Sequence, residues 1–300
     1  MSSRATKSLS GPVIFFVGMV FYVVSLAQSL TSAQSAATDI TDDVYADLAA
    51  LLDMYLIEKR TPEGGLVSAF DYERALQSAD TLQRVTRQKN TLRDFDIAQL
   101  DSRERATAFW INAYNFFMLA YILEEKPDGE LVESVWDYGG RYNPFRDSVF
   151  TRQEFVVGGQ LYSLDNIEKD TLLGSEFSEQ GWFDAKVHFA VNCAAVGCPP
   201  LRREVYTAGK IDDQLADNTR LAFSTPRHLR VEGSTLYLSS LFDWYAQDFA
   251  RQSGDALDFI KSYASDEVSA TLNENLRIDY IEYDWRLNRL GNFPELVNRP

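Results

Sequence analysis

Apolar positions in this chain form one unbroken run near the start and, beyond it, a series of periodic segments. The run is Val13 to Ala27 (VIFFVGMVFYVVSLA). From Asp42 to about Lys59, Val44, Leu48, Leu51, Leu52, Tyr55 and Leu56 recur at helical spacing and predict a helix. Thr61-Pro62-Glu63-Gly64-Gly65 then breaks the chain. A second helical stretch covers Tyr72 to Val85, and a third, ATAFWINAYNFFMLAYILEE, runs from Ala106 to Glu125 behind an Asp101/Glu104 capping pattern. The third is apolar around most of its circumference, which places it at the centre of a core rather than on a surface.

Downstream, FVVGGQLYS (Phe155–Ser163) predicts a hairpin around Gly158-Gly159, followed by a short helix from Leu164 to about Leu173. KVHFAVNC (Lys186–Cys193) reads as a buried strand. A helix over Asp212–Phe223, a hairpin of His228–Val231 with Leu236–Leu238 around Gly233-Ser234, two helices at about Ser240–Arg251 and Asp255–Ala264, and a last strand at Tyr280–Trp285 complete the pattern. Helices mixed with hairpins predict an α+β fold: a single domain with a buried central helix packed on a mixed or antiparallel sheet. No glycine-rich phosphate loop or dinucleotide fingerprint is present, and no cofactor is expected.

The apolar run changes the picture of where the chain goes. Arg4 and Lys7 precede it with no acid nearby, and Ala33, Ser35, Ala36 and Ala37 follow. A basic start, an apolar stretch and a small-residue exit make a secretory signal, with Ser25/Ala27 and Thr31/Ala33 as cleavage sites. Residues 1–33 are therefore read as a signal peptide or N-terminal anchor, 34–41 as a tether and 42–300 as the domain, with no second apolar run of membrane length. This makes the protein exported, in the periplasm or on the extracytoplasmic face of the inner membrane.

Aromatic residues are 13% of the chain, enough for a substantial core, and the net charge of −15 repels a phosphate backbone. Nucleic acid and direct docking on anionic lipid are excluded as partners. A small molecule or an envelope peptide or protein remains, with membrane contact only through an uncleaved N-terminal segment.

Candidate chemistry concentrates in Lys186–Arg203, which holds one of two histidines and both cysteines. On a regular strand, His188 and Asn192 face one way and Cys193 the other. Cys198 follows a turn and is held by Pro199-Pro200, so it can fold back towards His188. Three readings stand. His188 acts as base to a Cys198 or Cys193 thiolate, with Arg202 anchoring a carboxylate. The cysteines form a structural disulfide or a redox pair. Or His188 and the cysteines hold a metal, although their spacing fits no standard zinc pattern and no metal site is assigned. Asn112 and Asn115 share a face of the central helix, either tying down a loop or lining the site with Asn192. His228, beside Arg227 and Arg230, reads as surface. These readings divide between a thiol-dependent hydrolase or acyl/amide transferase and a non-catalytic binding or assembly module with a structural Cys193–Cys198 bridge.

Five segments together resemble the DUF547 family: FWINAYNFFMLAYIL (109–123), LYSLDNIE (161–168), HFAVNCAAVGCPPLRR (188–203), SLFDWYAQDF (240–249) and YDWRLN (283–288). The resemblance spans about residues 65–290 and implies an uncharacterised domain, often exported, with no settled activity. Some members are distantly similar to the papain and transglutaminase-like architecture, in which His188 takes the histidine position. Asp101–Arg105, where such enzymes carry their cysteine, contains none. Lys169 stands where the family usually has histidine, and Asn192 where serine is common.

Overall fold

Helix α4, Arg103–Glu124, organises the chain, and every residue of it from Ala106 to Leu123 is buried. Ser102, not Asp101, caps it, its Oγ accepting from Arg105 N at 3.3 Å; Asp101 instead pairs with the Arg105 guanidinium at 2.7 Å. The structure, a computed structural model, describes residues 43–140, 147–273 and 275–297. The leader and tether expected over residues 1–41 lie outside it. By length and composition α4 could cross a membrane, contrary to the sequence reading, yet the whole apolar stretch is enclosed by this protein's own side chains. Phe109 stacks on Phe95 and meets Tyr45 edge-on, while Phe117 stacks on Phe155. Burial of such a ring contributes on the order of 1.5–3 kcal/mol.

Before α4 come helix α1 (Ala46–Tyr55), strands β1 (Leu56–Arg60) and β2 (Leu66–Phe70), and helices α2 (Tyr72–Leu76) and α3 (Ala79–Arg93). The first helix therefore ends four residues before the periodicity suggested. Leu56 continues the helical spacing, but Leu56–Arg60 pairs antiparallel with the fully buried β2 instead. Thr61–Gly65 closes that hairpin. A Cβ on Gly65 would lie 2.4 Å from Thr225 Cγ2 and 2.6 Å from Ser224 O, so only glycine fits where the turn meets the following layer. The second helical stretch splits into α2 and α3, with Asp71 capping α2 through Arg74 N.

After α4 the Gly158-Gly159 hairpin forms as expected, from β3 (Phe155–Val157) and β4 (Gln160–Tyr162). A π-helical turn, Asn166–Leu172, and helix α5 (Ser175–Glu179) follow. The expected strand at Lys186–Cys193 is not one. Ala185–Phe189 is a 3-10 turn, and the backbone beyond it is irregular. Asp184 caps the turn through Lys186 N at 3.0 Å. Side-chain amides then take the carbonyls that a strand partner would satisfy: Asn218 donates to Phe189 O and Asn115 to Ala190 O.

Helix α6 (Ile211–Phe223) packs beside this turn. Strands β5 (Leu229–Glu232) and β6 (Thr235–Ser239) make the second hairpin, and β7 (Arg277–Ile281) joins β6 in parallel. Between them lie α7 (Leu241–Trp244), α8 (Ala246–Ser253), α9 (Ala256–Tyr263) and α10 (Asp266–Thr271). A short helix α11 (Pro294–Val297) ends the described chain. The fold is α+β, with its strands distributed over three small sheets. The last strand lies earlier than the expected Tyr280–Trp285, which frees Tyr283 and Trp285 for another role. Phe189, Phe242, Phe249 and Phe259 build a second core beside that of α4, and Tyr283 packs against both.

Candidate functional site

Where the two cores meet, a cleft of about 510 Å³ opens. One wall is aromatic, with Trp136 4.8 Å from Trp285, Trp285 4.5 Å from Tyr283 and Tyr283 4.9 Å from Trp244, ring centre to ring centre. The π-helical turn supplies Glu168 and Lys169, Asp165 just before it adds a second carboxylate, and His188 and the two cysteines also line the cleft.

His188 is 1% exposed. Its ring stacks on Tyr245 with centroids 4.0 Å apart and touches Phe249 from α8. Nε2 lies 2.8 Å from Asp248 Oδ2, and Nδ1 lies 3.9 Å from Glu168 Oε1. A carboxylate oxygen accepts, so Nε2 donates to Asp248, and in the neutral ring Nδ1 is the acceptor. At 3.9 Å no direct hydrogen bond to Glu168 forms, and Nδ1 has no hydrogen-bond partner among the described residues.

Glu168 is itself buried. Burial pushes its carboxyl up, opposed by nearby His188 and Lys169 and by a hydrogen bond with Tyr245. The Tyr245 hydroxyl is raised far above its ordinary value, first by burial and then by the charge of Glu168. Burial and Glu168 raise Tyr283 in the same way.

Cys193 and Cys198 form a disulfide with Cα atoms 6.3 Å apart. Cys193 N and Ala195 N approach Cys198 Sγ at 3.1 and 3.4 Å. The Tyr283 hydroxyl lies 3.2 Å from Cys198 Sγ and 3.3 Å from Cys193 Sγ. Between these amides Ala194 has φ +60°, a positive value that no other non-glycine residue shares among the described residues. For alanine that conformation costs about 1–2 kcal/mol, and neighbouring amides hold it. Asn192 Oδ1 accepts from Ala194 N at 2.9 Å and from Asn288 Nδ2 at 3.2 Å, while Asn192 Nδ2 donates to Pro199 O at 2.8 Å. Asn288 N donates to Ala194 O.

Of the residues singled out in the sequence, the fold brings His188, Cys193 and Cys198 to one cleft. The strand alternation had put His188 and Cys193 on opposite faces; the 3-10 turn removes that alternation. The remaining candidates serve the scaffold. Asn112 exchanges both amide hydrogen bonds with the Tyr206 backbone, at 2.7 and 2.9 Å. Asn115 ties Ala190 O and Asn192 N, and Asn192 clamps the cysteine loop. Arg202 pairs with Glu204 and Asp217 away from the cleft. His228 is not surface: it is 2% exposed, and burial together with the charge of Arg227 pushes it down to about 4. Both ring nitrogens of His188 face carboxylates rather than sulfur. Among the described residues, no group of three His, Cys, Asp or Glu side chains is placed to hold a metal ion.

Sequence reasoning missed Glu168, Asp248, Tyr245 and the aromatic wall. Glu168, Asp248 and Tyr245 all fall in segments quoted for the family resemblance. The i, i+3, i+4 spacing of Tyr245, Asp248 and Phe249 also sets one carboxylate beside two rings, a usable signal.

The fold and the cleft define an α+β protein with a buried histidine set between two carboxylates. Residues 97–221 match the family described as "Protein of unknown function, DUF547", and the chain carries a DUF547 domain. The match contains Glu168, His188 and the disulfide; Tyr245, Asp248, Tyr283 and Trp285 lie beyond it. No curated protein and no solved structure matches the chain.

Proposed function

We propose that the cleft is an active site for hydrolysis or acyl/amide transfer, run by proton transfer with His188 as general base. The observation that carries this reading is the Nδ1 atom of His188. It is an unpartnered acceptor on a buried ring whose other nitrogen is bound to Asp248. Such a ring removes a proton from water or an acceptor hydroxyl as that oxygen attacks a carbonyl, and Asp248 steadies the imidazolium that results. Glu168, whose carboxyl burial raises, returns a proton to the leaving group. The aromatic wall receives an apolar, flat part of the substrate.

The bridge removes both sulfurs from thiol form, so a thiol nucleophile belongs to a reduced state of the protein. The second reading, a non-catalytic binding module, is favoured by the same aromatic wall, where Trp244 is 46% exposed. A panel of chromogenic esters and anilides separates them. Proton-transfer catalysis gives turnover by the oxidised protein that resists alkylation and falls about 100-fold or more in His188→Ala. Turnover that appears only after reduction and is blocked by alkylation favours the thiol. Binding detected by tryptophan fluorescence with no turnover favours the module.

The chain is further proposed to act outside the cytoplasm, on an envelope peptide, protein or small molecule. Arg4, Lys7 and the Val13–Ala27 run support this, as does a disulfide, which persists in oxidising compartments. Cell fractionation with N-terminal sequencing checks it: a new terminus at Gln28 or Gln34 is expected, or the intact chain in the membrane fraction. Recovery of the intact chain from the cytosol refutes export.

A further inference from the structure

We infer that Cys193–Cys198 is a thiol–disulfide exchange site, with Cys193 the sulfur attacked and Cys198 the departing thiolate. The two sulfurs sit in unlike surroundings. Cys193 is half-buried on the cleft, whereas Cys198 is 7% exposed. Cys198 Sγ is approached by two backbone amides and by the Tyr283 hydroxyl. The Tyr283 hydroxyl lies almost equally near Cys193 Sγ, so the difference between the sulfurs rests on the two amides. They stabilise negative charge on Cys198, and the sulfur with the more stable thiolate is the better leaving group.

These donors do not depend on the bridge. Asn192 and Asn288 hold the backbone on both sides of Ala194 through their own hydrogen bonds. Opening the S–S bond therefore leaves the amides aimed at Cys198. A bridge whose only task was to restrain this loop would duplicate that clamp.

The co-reactant is a thiol small enough for the cleft, with an apolar body that lies against Trp136 and Trp285. The thiol loses its proton to water. Its sulfur then attacks Cys193 Sγ, forming a mixed disulfide as the Cys193–Cys198 bond breaks with its electron pair passing to Cys198. From there the Cys198 thiolate reverses the step, or a second thiol attacks the mixed disulfide. The second route releases an oxidised disulfide and leaves both cysteines reduced.

Three measurements test this. Dithiothreitol should reduce the bridge in the native protein with its circular dichroism unchanged; a bridge that yields only in denaturant overturns the inference. Brief treatment with limiting benzyl mercaptan, then alkylation and peptide mapping, should find the benzylthio group on Cys193; finding it on Cys198, or on neither, overturns the assignment. In Cys193→Ser, ultraviolet thiolate absorbance should place Cys198 at least about one unit below the ordinary thiol value of about 8.5. Adding Tyr283→Phe should raise it. A value at or above the ordinary one, unmoved by Tyr283→Phe, removes the basis for Cys198 as leaving group. If Cys193→Ser does not fold, the first two measurements on the unaltered chain decide.

Discussion

His188 and Asp248 meet across 60 positions of sequence, Nε2 to Oδ2 at 2.8 Å. The contact joins the 3-10 turn to helix α8, which packs against it, and it fixes which imidazole nitrogen is held. Asp248→Asn keeps the shape but offers an amide that can donate as well as accept, so the ring is no longer confined to one tautomer. Turnover should fall about 10²–10⁴-fold, with thermal unfolding little changed. Equal turnover in the variant and the parent would remove Asp248 from the mechanism.

Glu168 sets a dependence of stability on pH. Its folded pKa is raised by burial, so the folded state holds its proton at pH values where the unfolded chain has released it. That contribution is complete below the unfolded value of about 4.3 and is lost as pH rises through the folded value. Glu168→Gln abolishes the loss. Urea unfolding over a pH series should show the stability of the variant gaining on that of the parent as pH rises above the unfolded value. A constant difference contradicts the buried, raised carboxyl.

His228 acts with the opposite sign. Its folded value of about 4 lies below the ordinary histidine value of 6.5. Its contribution is present above the unfolded value and drains away as pH falls through the folded one. The full span is worth about 3 kcal/mol, at about 1.4 kcal/mol per unit. In His228→Leu the acid limb of the stability profile should therefore be shallower between about pH 6.5 and 4. An unchanged limb would mean that His228 takes up its proton without unfolding.

The cysteine loop offers a comparison of two restraints. The bridge closes a short loop, with a sequence separation of 5, worth about 2 kcal/mol in loop entropy. Asn192→Ala strands the Pro199 carbonyl and the Ala194 amide in the interior, at about 1–3 kcal/mol for each group left unpaired. Denaturant unfolding should find Asn192→Ala at least as costly as reduction of the bridge or the double change Cys193→Ala/Cys198→Ala. The reverse order would make the disulfide the main restraint on the loop.

The central helix was legible because apolar residues cover most of its circumference, and both later hairpins because Gly158-Gly159 and Gly233-Ser234 mark their turns. Lys186–Cys193 was misread because its composition is that of a strand. What decides its backbone is Asn115 and Asn218, 75 and 29 residues from the carbonyls they bind. Leu56 was misread for a related reason, since pairing with β2 outweighed the helical spacing that Leu56 continues. The site was half legible. His188 and the cysteines stand out as rare residue types in one segment, whereas Glu168 and Asp248 are two acids among 44 and acquire meaning only from what they face. Asn112, Asn115 and Asn192 drew notice as buried amides, and burial alone does not separate a clamp from a ligand.

The placing of Tyr245, Asp248, Tyr283 and Trp285 beyond residue 221 has a consequence for timing. As the polypeptide emerges from the ribosome, the segment bearing His188 is complete about a hundred residues before the aromatic wall that closes over it. Until Trp285 has been made, Trp136 has no partner across that wall, and a chain that ends between α6 and β5 lacks Asp248 together with Trp244, Tyr283 and Trp285. The proposed activity therefore waits on the last quarter of the chain, and a chain that ends after Phe223 cannot carry it.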